Sequence, residues 1–316
     1  MIQKLVEKIE ELGNPTVVGL DPTLALIPNE MKDKYFEQYG KTPEAVSAMF
    51  FDFNKEIIDS IFDIVPAVKP QIAMYENFGL EGLSAYVKTC KYASEKGMVV
   101  IGDVKRGDIS STATAYAAHL TGADIDGTKI DLWHEDAITV NPYLGSDGIL
   151  PFVESCKTSG KGIFVLVKTS NPSSIEIQDL LAVQEDETGS IIFKPKFESI
   201  FMRIAKYVEK WGSELIAPCG FSEVGAVVGA THPGVGKMLR KGFPNMFFLV
   251  PGYGAQGASA EDLRGFFNKN KAGCIVNSSR GIIGAWKNNE GLSVGDAARK
   301  ASTEMREDLA HALYKK

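Results

Sequence analysis

A dense run of charged side chains follows an apolar stretch near residue 100. Residues 99–101 are Val, Val and Ile, and Asp103, Lys105 and Asp108 come soon after them. Alternate side chains of a strand share a face, so we expect Asp103 and Lys105 to point the same way, with Asp108 beyond them at a turn. Carboxylates on both sides favour a protonated lysine, which is a proton donor rather than a nucleophile. On charges alone, a solvated ion-pair cluster is the simpler interpretation.

Lys69 follows another apolar segment and adds a second cation to this group. Coupled to the first three residues, it completes an array of four side chains with alternating charge. Such an array can destabilise a bound anion beside one carboxylate, while an ammonium group stabilises the charge that develops in the transition state. For Lys69 alone, the alternative is a lysine that reaches solvent at a strand end.

Polar residues after two other apolar segments suit the sugar and the base of a nucleotide. Asp21 can accept hydrogen bonds from ribose hydroxyl groups, or it can cap a helix that begins near Pro22. Ser170 and Asn171 offer a donor and an acceptor for the polar edge of a nucleobase, although both are also common turn residues. Each of these residues therefore has a structural alternative to its binding role.

A glycine-rich turn, G-x-G-x-x-G at residues 252–257, predicts a phosphate site. A dinucleotide-binding fold needs an acidic residue at the end of the following strand, but that segment continues into Asn, Ser, Ser and Arg280. Barrels commonly bind phosphate with the loops after their seventh and eighth strands, where both features fall. We therefore expect Pro251, Gly252 and Gln256 to bind phosphate with Arg280; a plain turn beside a surface arginine is the alternative.

Eight short apolar segments, separated by amphipathic ones, carry these residues at their ends. Each is almost continuously apolar, as the strands of a parallel sheet buried on both faces should be. The pattern predicts a single α/β domain over residues 1–316, a (β/α)8 TIM barrel with its site at the carboxyl ends of the strands. The strands are expected at residues 16–20, 64–68, 98–101, 137–140, 163–167, 226–228, 247–250 and 274–276.

Two stretches fit this alternation less well. Residues 215–220 are themselves typical of a strand and compete with residues 226–228 for the sixth position. Residues 171–196 are long for a connection between a strand and a helix, so we expect an exposed insertion there, which is a candidate lid. Helix starts are clearer, because Thr42 and Pro43 predict an N-cap and residues 259–262 resemble a capping box.

The composition limits the classes of function. The formal net charge of −6 argues against a nucleic-acid surface, and no apolar run reaches the roughly 18 residues of a membrane span. The 4 cysteines and 4 histidines lack the spacing of metal ligands or of a disulfide framework, so we expect no metal and a reducing, cytoplasmic setting. The mixed-charge start predicts an amphipathic helix rather than a signal peptide.

These motifs together resemble the orotidine 5′-phosphate decarboxylase family, specifically its longer bacterial type. The D-x-K-x-x-D-I motif at residues 103–109 is the most specific, although sugar-phosphate decarboxylases and aldolases of the same superfamily share its D-x-K-x-x-D part. The likeness covers nearly the whole chain and includes G-L-D-P at 19–22, K-P-Q at 69–71, N-P-Y at 141–143, G-Y-G-A-Q-G at 252–257 and N-S-S-R-G at 277–281.

The resemblance implies that orotidine 5′-monophosphate is decarboxylated to UMP without a cofactor, the last step of de novo pyrimidine nucleotide synthesis. Lys105 would protonate C6 as carbon dioxide leaves, and Asp103 would crowd the substrate carboxylate. Lys69 would bridge Asp103 to the ribose. The remaining implied contacts are Asp21 at the ribose, Ser170 at the pyrimidine edge, and Gln256 and Arg280 at the phosphate.

Two residues of the motif region are implied to act across a subunit boundary. In the family, the second aspartate of the motif and the threonine after it enter the active site of the neighbouring subunit. Asp108 and Thr112 match them. The resemblance therefore implies a homodimer with shared active sites. From charge and hydropathy we expect no nucleic-acid or membrane partner.

Two other functions stay open from the sequence. A hexulose-phosphate synthase or keto-gulonate phosphate decarboxylase resembles this chain at D-x-K-x-x-D but stabilises an enediolate with magnesium. Its glutamate ligand would stand at the end of the second strand, where this chain has Lys69. A barrel that only binds a nucleotide or a sugar phosphate is the second alternative, but a binder would need the phosphate loop and not the charge array.

Overall fold

The computed structural model describes residues 1–183, 196–254 and 257–314. Eight parallel strands close into a barrel, and helices connect successive strands on its outside. The predicted (β/α)8 fold is therefore confirmed. The barrel strands are β1 (Thr16–Leu20), β2 (Ala67–Pro70), β3 (Val99–Arg106), β4 (Ala137–Val140), β5 (Gly162–Lys168), β6 (Val224–Val228), β7 (Phe248–Pro251) and β8 (Cys274–Ser278).

Strands that are neighbours in sequence are neighbours in the barrel, and β8 closes the circle by pairing with β1. The sixth position belongs to β6, which is buried along its whole length between β5 and β7. Residues 215–220 instead form an irregular segment, in which Ile216 makes an isolated bridge to Ser222. The competition between the two segments is thus settled in favour of the later one.

Helices surround the barrel, and a few short 3-10 segments interrupt the connections at Leu24–Leu26, Pro172–Ser174, Glu261–Phe266 and Ala285–Asn288. The α-helices are α1 (Ile2–Leu12), α2 (Asn29–Tyr39), α3 (Pro43–Ile61), α4 (Ala73–Glu76), α5 (Gly79–Glu95), α6 (Ser110–Thr121), α7 (Ser146–Ser159), α8 (Ile175–Gln178), α9 (Ile200–Gly212), α10 (Pro233–Gly242), α11 (Arg280–Ile283) and α12 (Val294–Tyr314). No helix among the residues described is long and apolar enough to cross a membrane.

Of the two predicted helix starts, the one at Thr42 is confirmed and the one at residues 259–262 is not. Thr42 caps α3, since its hydroxyl accepts a hydrogen bond from the backbone N of Ala45 at 3.3 Å and Pro43 opens the first turn. The capping box expected at residues 259–262 does not open an α-helix. Asp262 Oδ2 accepts hydrogen bonds from the backbone N and the hydroxyl of Ser259, at 2.9 and 2.7 Å, and a 3-10 helix follows.

Apolar side chains fill the barrel at its amino-terminal end. Val17, Phe164 and Phe247 point inwards and pack in one cluster with Leu5 and Val6 of α1. A second, larger cluster lies between the outer face of the strands and the surrounding helices. Because α1 covers the starts of the strands, open space within the barrel is left at the carboxyl ends.

Two short antiparallel hairpins interrupt the regular alternation. One pairs Ala123–Ile125 with Thr128–Ile130 after α6. The other pairs Leu181–Val183 with Phe197–Ser199 and belongs to the insertion expected at residues 171–196, together with α8. Residues 184–195 lie outside the described residues, so closure of this insertion over a ligand stays a prediction.

Candidate active site

A cavity of about 910 Å³ opens at the carboxyl ends of the barrel strands. Its volume is in the range of pockets that enclose a small organic ligand. Every strand or the loop after it contributes to the wall, and the floor includes Leu166, Val227 and Leu249. The wall contains these residues predicted from the sequence: Asp21, Lys69, Asp103, Lys105, Ser170, Asn171, Pro251, Gly252 and Arg280.

Asp103 holds one ammonium group on each of its carboxylate oxygens. Lys69 Nζ lies 2.7 Å from Oδ2, and Lys105 Nζ lies 2.5 Å from Oδ1. The side chains of Lys69 and Asp103 are 5% and 10% exposed, whereas the side chain of Lys105 is 46% exposed on the cavity wall. A buried ion pair therefore supports one accessible ammonium group.

The ion pairs control the ionisation of the buried groups. Burial opposes the charged form of Asp103, but the charges of Lys69 and Lys105 outweigh it and hold the pKa of Asp103 well below its usual range. Burial also acts to lower the pKa of Lys69, but the charges of Asp103 and Asp21 outweigh it, so this pKa lies above its ordinary value. Asp103 and Lys69 are therefore both charged at neutral pH.

Two neutral side chains complete the hydrogen bonds of Asp103. Gln71 donates from Nε2 to Oδ2 at 2.9 Å, and Thr139 donates its hydroxyl to Oδ1 at 2.9 Å. With the two lysines, each carboxylate oxygen accepts two hydrogen bonds, which fixes its orientation. Neither residue was predicted. The place of Gln71, two residues after Lys69, is a signal in the sequence, whereas Thr139 lies within an apolar strand and carries none.

The backbone at Lys105 departs from regular strand geometry. Its φ is 44°, a left-handed conformation that is uncommon for a residue with a side chain. Gly102 pairs with Ile138 and Arg106 pairs with Val140, so the three residues 103–105 of β3 lie opposite one residue of β4. Such a bulge redirects a side chain. Lys105 and Asp103 thus reach the same cavity, as expected, but through a bulge rather than through regular alternation.

Asp21 and Asn277 present unpaired oxygens at the ends of β1 and β8. The Oδ1 atoms of both residues are buried and lack a hydrogen-bond partner among the described residues, and both residues line the cavity. A buried oxygen left unpaired costs about 1–3 kcal/mol, which a donor on a ligand would recover. Asp21 was predicted as a ribose ligand. Asn277 was not, although it opens the N-S-S-R-G motif.

The wall after β5 contains Ser170, Asn171 and Gln178. Gln178 folds this segment back on itself, because its Oε1 accepts from the backbone N of Thr169 at 2.9 Å and its Nε2 donates to the Thr169 hydroxyl at 2.8 Å. That hydroxyl donates in turn to Asn171 Oδ1 at 2.7 Å. Asn171 is therefore engaged within the loop, whereas the hydroxyl of Ser170, the other predicted base-edge residue, has no hydrogen-bond partner among the described residues.

The seventh and eighth strands bring the expected phosphate residues to one side of the cavity. Pro251 and Gly252 at the end of β7 line its wall together with Ser279 and Arg280 after β8. Arg280 is exposed at the rim. Gln256 lies outside the described residues, so its contact with phosphate stays a prediction.

Asp108 and Thr112 do not join this cavity. Neither residue belongs to its wall, Thr112 is exposed, and Asp108 Oδ1 accepts a hydrogen bond from the backbone N of Ile109 at 2.8 Å. The elements after β3 and β4 also carry exposed apolar side chains: Ile109, Tyr116, Ile125, Ile130, Leu132, Tyr143 and Leu144. Within one chain, these two predicted residues are therefore separated from the Lys69–Asp103–Lys105 array.

The fold and the cavity define a (β/α)8-barrel enzyme with a charged site at the carboxyl ends of its strands. A sequence profile of the orotidine 5′-phosphate decarboxylase / HUMPS family matches residues 14–292. The chain belongs to this family, as its motifs predicted. The prediction of a longer bacterial type within the family stays a prediction.

Full-length relatives bear the same family name. Proteins named orotidine 5′-phosphate decarboxylase from Petrotoga mobilis and Clostridium tetani are 41% identical to this chain over 312 and 318 residues, which is 98% and 100% of both partners. The solved structure of Leishmania donovani OMP decarboxylase is 27% identical, with a TM-score of 0.71 over 99% of this chain and 98% of the other. The predicted enzyme class, a carboxy-lyase, is confirmed by these relatives.

Proposed function

We propose that this protein is a cytoplasmic homodimer that converts orotidine 5′-monophosphate to UMP and carbon dioxide, without a cofactor, in pyrimidine nucleotide synthesis. The observation that carries the proposal is the array in which Asp103 binds Lys105 at 2.5 Å and Lys69 at 2.7 Å beside the cavity. We infer the substrate from the names of the relatives, and the array has the charged groups that decarboxylation of this substrate needs.

Lys105 is the proton donor in this mechanism. When the bond between C6 and the carboxyl group breaks, its electron pair stays on C6 and carbon dioxide leaves. The carbanion lacks the electron sink that an organic cofactor would provide, so the protein must stabilise its charge. The accessible ammonium group of Lys105 does so and transfers a proton to C6, which forms UMP. The neutral lysine then regains a proton from water.

Asp103 acts on the substrate carboxylate. Four donors hold its own carboxylate in place, so it cannot turn away when a second anion binds next to it. The repulsion raises the energy of the bound substrate and is relieved as carbon dioxide departs. Lys69 keeps Asp103 ionised and, through its position near Asp21, links the array to the ribose.

The other wall residues orient the nucleotide. The Asp21 oxygen that lacks a partner among the described residues accepts a hydrogen bond from a ribose hydroxyl group, and the hydroxyl of Ser170 binds the pyrimidine edge. At the opposite side, backbone amides of a glycine-rich turn and a guanidinium group suit a phosphate dianion. The phosphate contacts are assigned to Pro251, Gly252, Gln256 and Arg280.

A homodimer completes the site with residues that one chain holds away from it. Asp108 and Thr112 lie outside the cavity wall, on elements whose exposed apolar side chains suit burial against a second copy. In the dimer, Asp108 adds the fourth charge of the array and Thr112 contacts the substrate from across the interface. The apolar surface after β3 and β4 supports this arrangement.

The two alternative functions fit the site less well. A magnesium-dependent relative needs a carboxylate at the end of β2, where this chain has the buried Lys69, and among the residues described no three His, Cys, Asp or Glu side chains form a group that could hold a metal ion. A barrel that only binds phosphate has no use for a buried carboxylate held by four donors. Decarboxylation uses both the buried Lys69 and the carboxylate of Asp103 that the four donors hold.

The test is an absorbance assay with orotidine 5′-monophosphate, purified protein and EDTA. We expect the orotate band to disappear, with UMP as the product, at the same rate with or without EDTA. Orotidine, which lacks the phosphate, is the control and should react far more slowly because the phosphate contacts are lost. A stable band would contradict the proposal, and turnover only with added magnesium would favour the metal-dependent relatives.

A further inference from the structure

Thr139 lies at the bulge where β3 and β4 lose their register. It is the single residue of β4 opposite residues 103–105 of β3. Its side chain is buried, 2% of the residue being exposed, and it lines the cavity. The hydroxyl makes two hydrogen bonds: Oγ1 accepts from the backbone N of Lys105 at 3.0 Å and donates to Asp103 Oδ1 at 2.9 Å.

These two hydrogen bonds act on both members of the central ion pair. The bulge removes the backbone N–H of Lys105 from the regular pairing with β4, and the Thr139 hydroxyl replaces the missing acceptor. Lys105 also holds a left-handed backbone, which persists only where its surroundings support it. The donated proton meanwhile binds the same carboxylate oxygen that Lys105 Nζ contacts. One hydroxyl therefore fixes the backbone of Lys105 and the orientation of Asp103.

We propose that Thr139 is a positioning residue for the decarboxylation, which aims the Lys105 ammonium group by holding its bulged backbone and its carboxylate partner together. This inference rests on the proposed function, in which Lys105 protonates C6. Thr139 itself transfers no proton to the substrate. Its effect on the rate comes from holding the donor in reacting geometry, to which enzymatic rates are highly sensitive.

Three variants separate this role from the ordinary contribution of a buried threonine. Thr139→Val keeps the shape and the strand preference of the side chain but lacks the hydroxyl. Thr139→Ser keeps the hydroxyl and loses only a methyl group. Thr16→Val is the matched control, because Thr16 is a fully buried β1 threonine at the other end of the barrel, where its hydroxyl donates to Asn14 Oδ1 at 2.7 Å.

Steady-state kinetics and UMP titration give the first readout. We expect Thr139→Val to lower kcat by roughly 10- to 100-fold, as for the loss of a hydrogen bond to a charged group, with unchanged UMP affinity. Thr139→Ser should retain most of the wild-type kcat. Thr16→Val should lose stability but keep its kcat. A wild-type kcat in Thr139→Val would overturn the inference, and so would an equal loss of kcat in Thr139→Ser. Weaker UMP binding of Thr139→Val in place of a lower kcat would also overturn it.

Hydrogen–deuterium exchange of the Lys105 amide gives a second readout that needs no turnover. The amide should be protected in the wild type and in Thr139→Ser, and should exchange faster in Thr139→Val. Unchanged exchange in Thr139→Val would overturn the inference even if kcat fell. A wild-type protein that did not decarboxylate the nucleotide would contradict the proposed function instead, while the exchange would still decide whether this hydroxyl holds Lys105.

Discussion

Lys168 and Asp179 form an ion pair that joins the end of β5 to the insertion after it. The lysine is 1% exposed, and its Nζ lies 2.6 Å from Asp179 Oδ1. The same ammonium group donates to the Ser174 hydroxyl at 3.3 Å. Since Ser170 and Gln178 lie between the two partners in the chain and line the cavity, the ion pair braces one wall of the site.

Asp179→Asn should weaken this wall by removing the countercharge that Asp179 gives to the buried ammonium group of Lys168. We expect the free energy of unfolding to fall by about 1–3 kcal/mol, less than for a fully buried pair because water screens part of the loss. The KM for the nucleotide should rise more than kcat falls. Urea denaturation and steady-state kinetics measure the two effects. Glu214→Gln, which breaks an exposed pair with Lys157, is the control, and equal losses in both variants would contradict the bracing role.

Lys105→Ala should abolish turnover while UMP still binds. The variant loses both the proton donor and the charge that stabilises the carbanion, so kcat should fall by at least about 1,000-fold. The absorbance assay measures turnover, and calorimetric titration measures UMP binding. Lys91→Ala removes an exposed lysine paired with Glu95 and should leave both unchanged. Turnover near the wild-type rate in Lys105→Ala would mean that another group protonates C6.

Asp103→Asn should change how stability depends on pH. The folded-state pKa of Asp103 is lowered, so its stabilising contribution is complete above the unfolded pKa of about 3.9 and is lost as the pH falls towards the folded value. The variant should be less stable than the wild type by roughly 3 kcal/mol at neutral pH, because Lys105 loses the charge of Asp103 and the buried Lys69 keeps only that of Asp21. This difference should stay constant from about pH 7 to pH 5 and shrink below about pH 4.

Urea denaturation at a series of pH values measures that difference. Asp33→Asn removes an exposed carboxylate outside the array, so it is the matched control and should leave the free energy of unfolding at neutral pH unchanged. If the difference in the free energy of unfolding between wild type and Asp103→Asn did not shrink at acid pH, the ion pairs of Asp103 would not stabilise the fold.

Arg240→Lys should destabilise the barrel without affecting the reaction. The Arg240 guanidinium donates to five backbone carbonyl groups, those of Phe243, Pro244, Met246, Phe266 and Gly273. Burial lowers its pKa to about 10, so it is still charged at neutral pH. A lysine cannot serve these acceptors together, and we expect a loss of about 2–4 kcal/mol in the free energy of unfolding.

Thermal and urea denaturation measure this loss. The kcat per folded molecule should be unchanged, because Arg240 binds carbonyl groups before β7 and β8, away from the cavity. Arg264→Lys, at a side chain 45% exposed, is the control. An equal loss of stability at both positions would contradict the role assigned to the buried guanidinium group.

The sequence predicts Lys69, Asp103 and Lys105 together for a simple physical reason. Each stands at the carboxyl end of an apolar segment, and the strands of a parallel barrel end on the same side. The end of β3 differs from the prediction, since this strand continues to Arg106 and not only to residue 101. Hydrogen bonds on both edges, rather than composition, decide where such a strand stops.

The remaining parts of the site depend on pairings between distant residues. Thr139 meets Asp103 across 36 positions, and only the register shift between β3 and β4 places its hydroxyl at both partners. The sequence does not distinguish Asn277 from other polar residues at strand ends. Its Oδ1 is recognised only in the folded cavity, where it is buried without a partner among the described residues. Asp108 and Thr112 lie outside the single-chain cavity, so the roles proposed for them require a second copy of the chain.

The apolar packing of α1 against the strands closes the barrel at its amino-terminal end. Leu5 and Val6 lie with Phe164 and Phe247 in one buried apolar cluster, whereas the cavity that contains the charged array opens at the other end of the strands. In the proposed reaction, the substrate therefore enters and both products leave through the opening of this cavity. Carbon dioxide released beside the buried Asp103 and UMP then leave through the same opening, and both must have left before the next substrate molecule can bind.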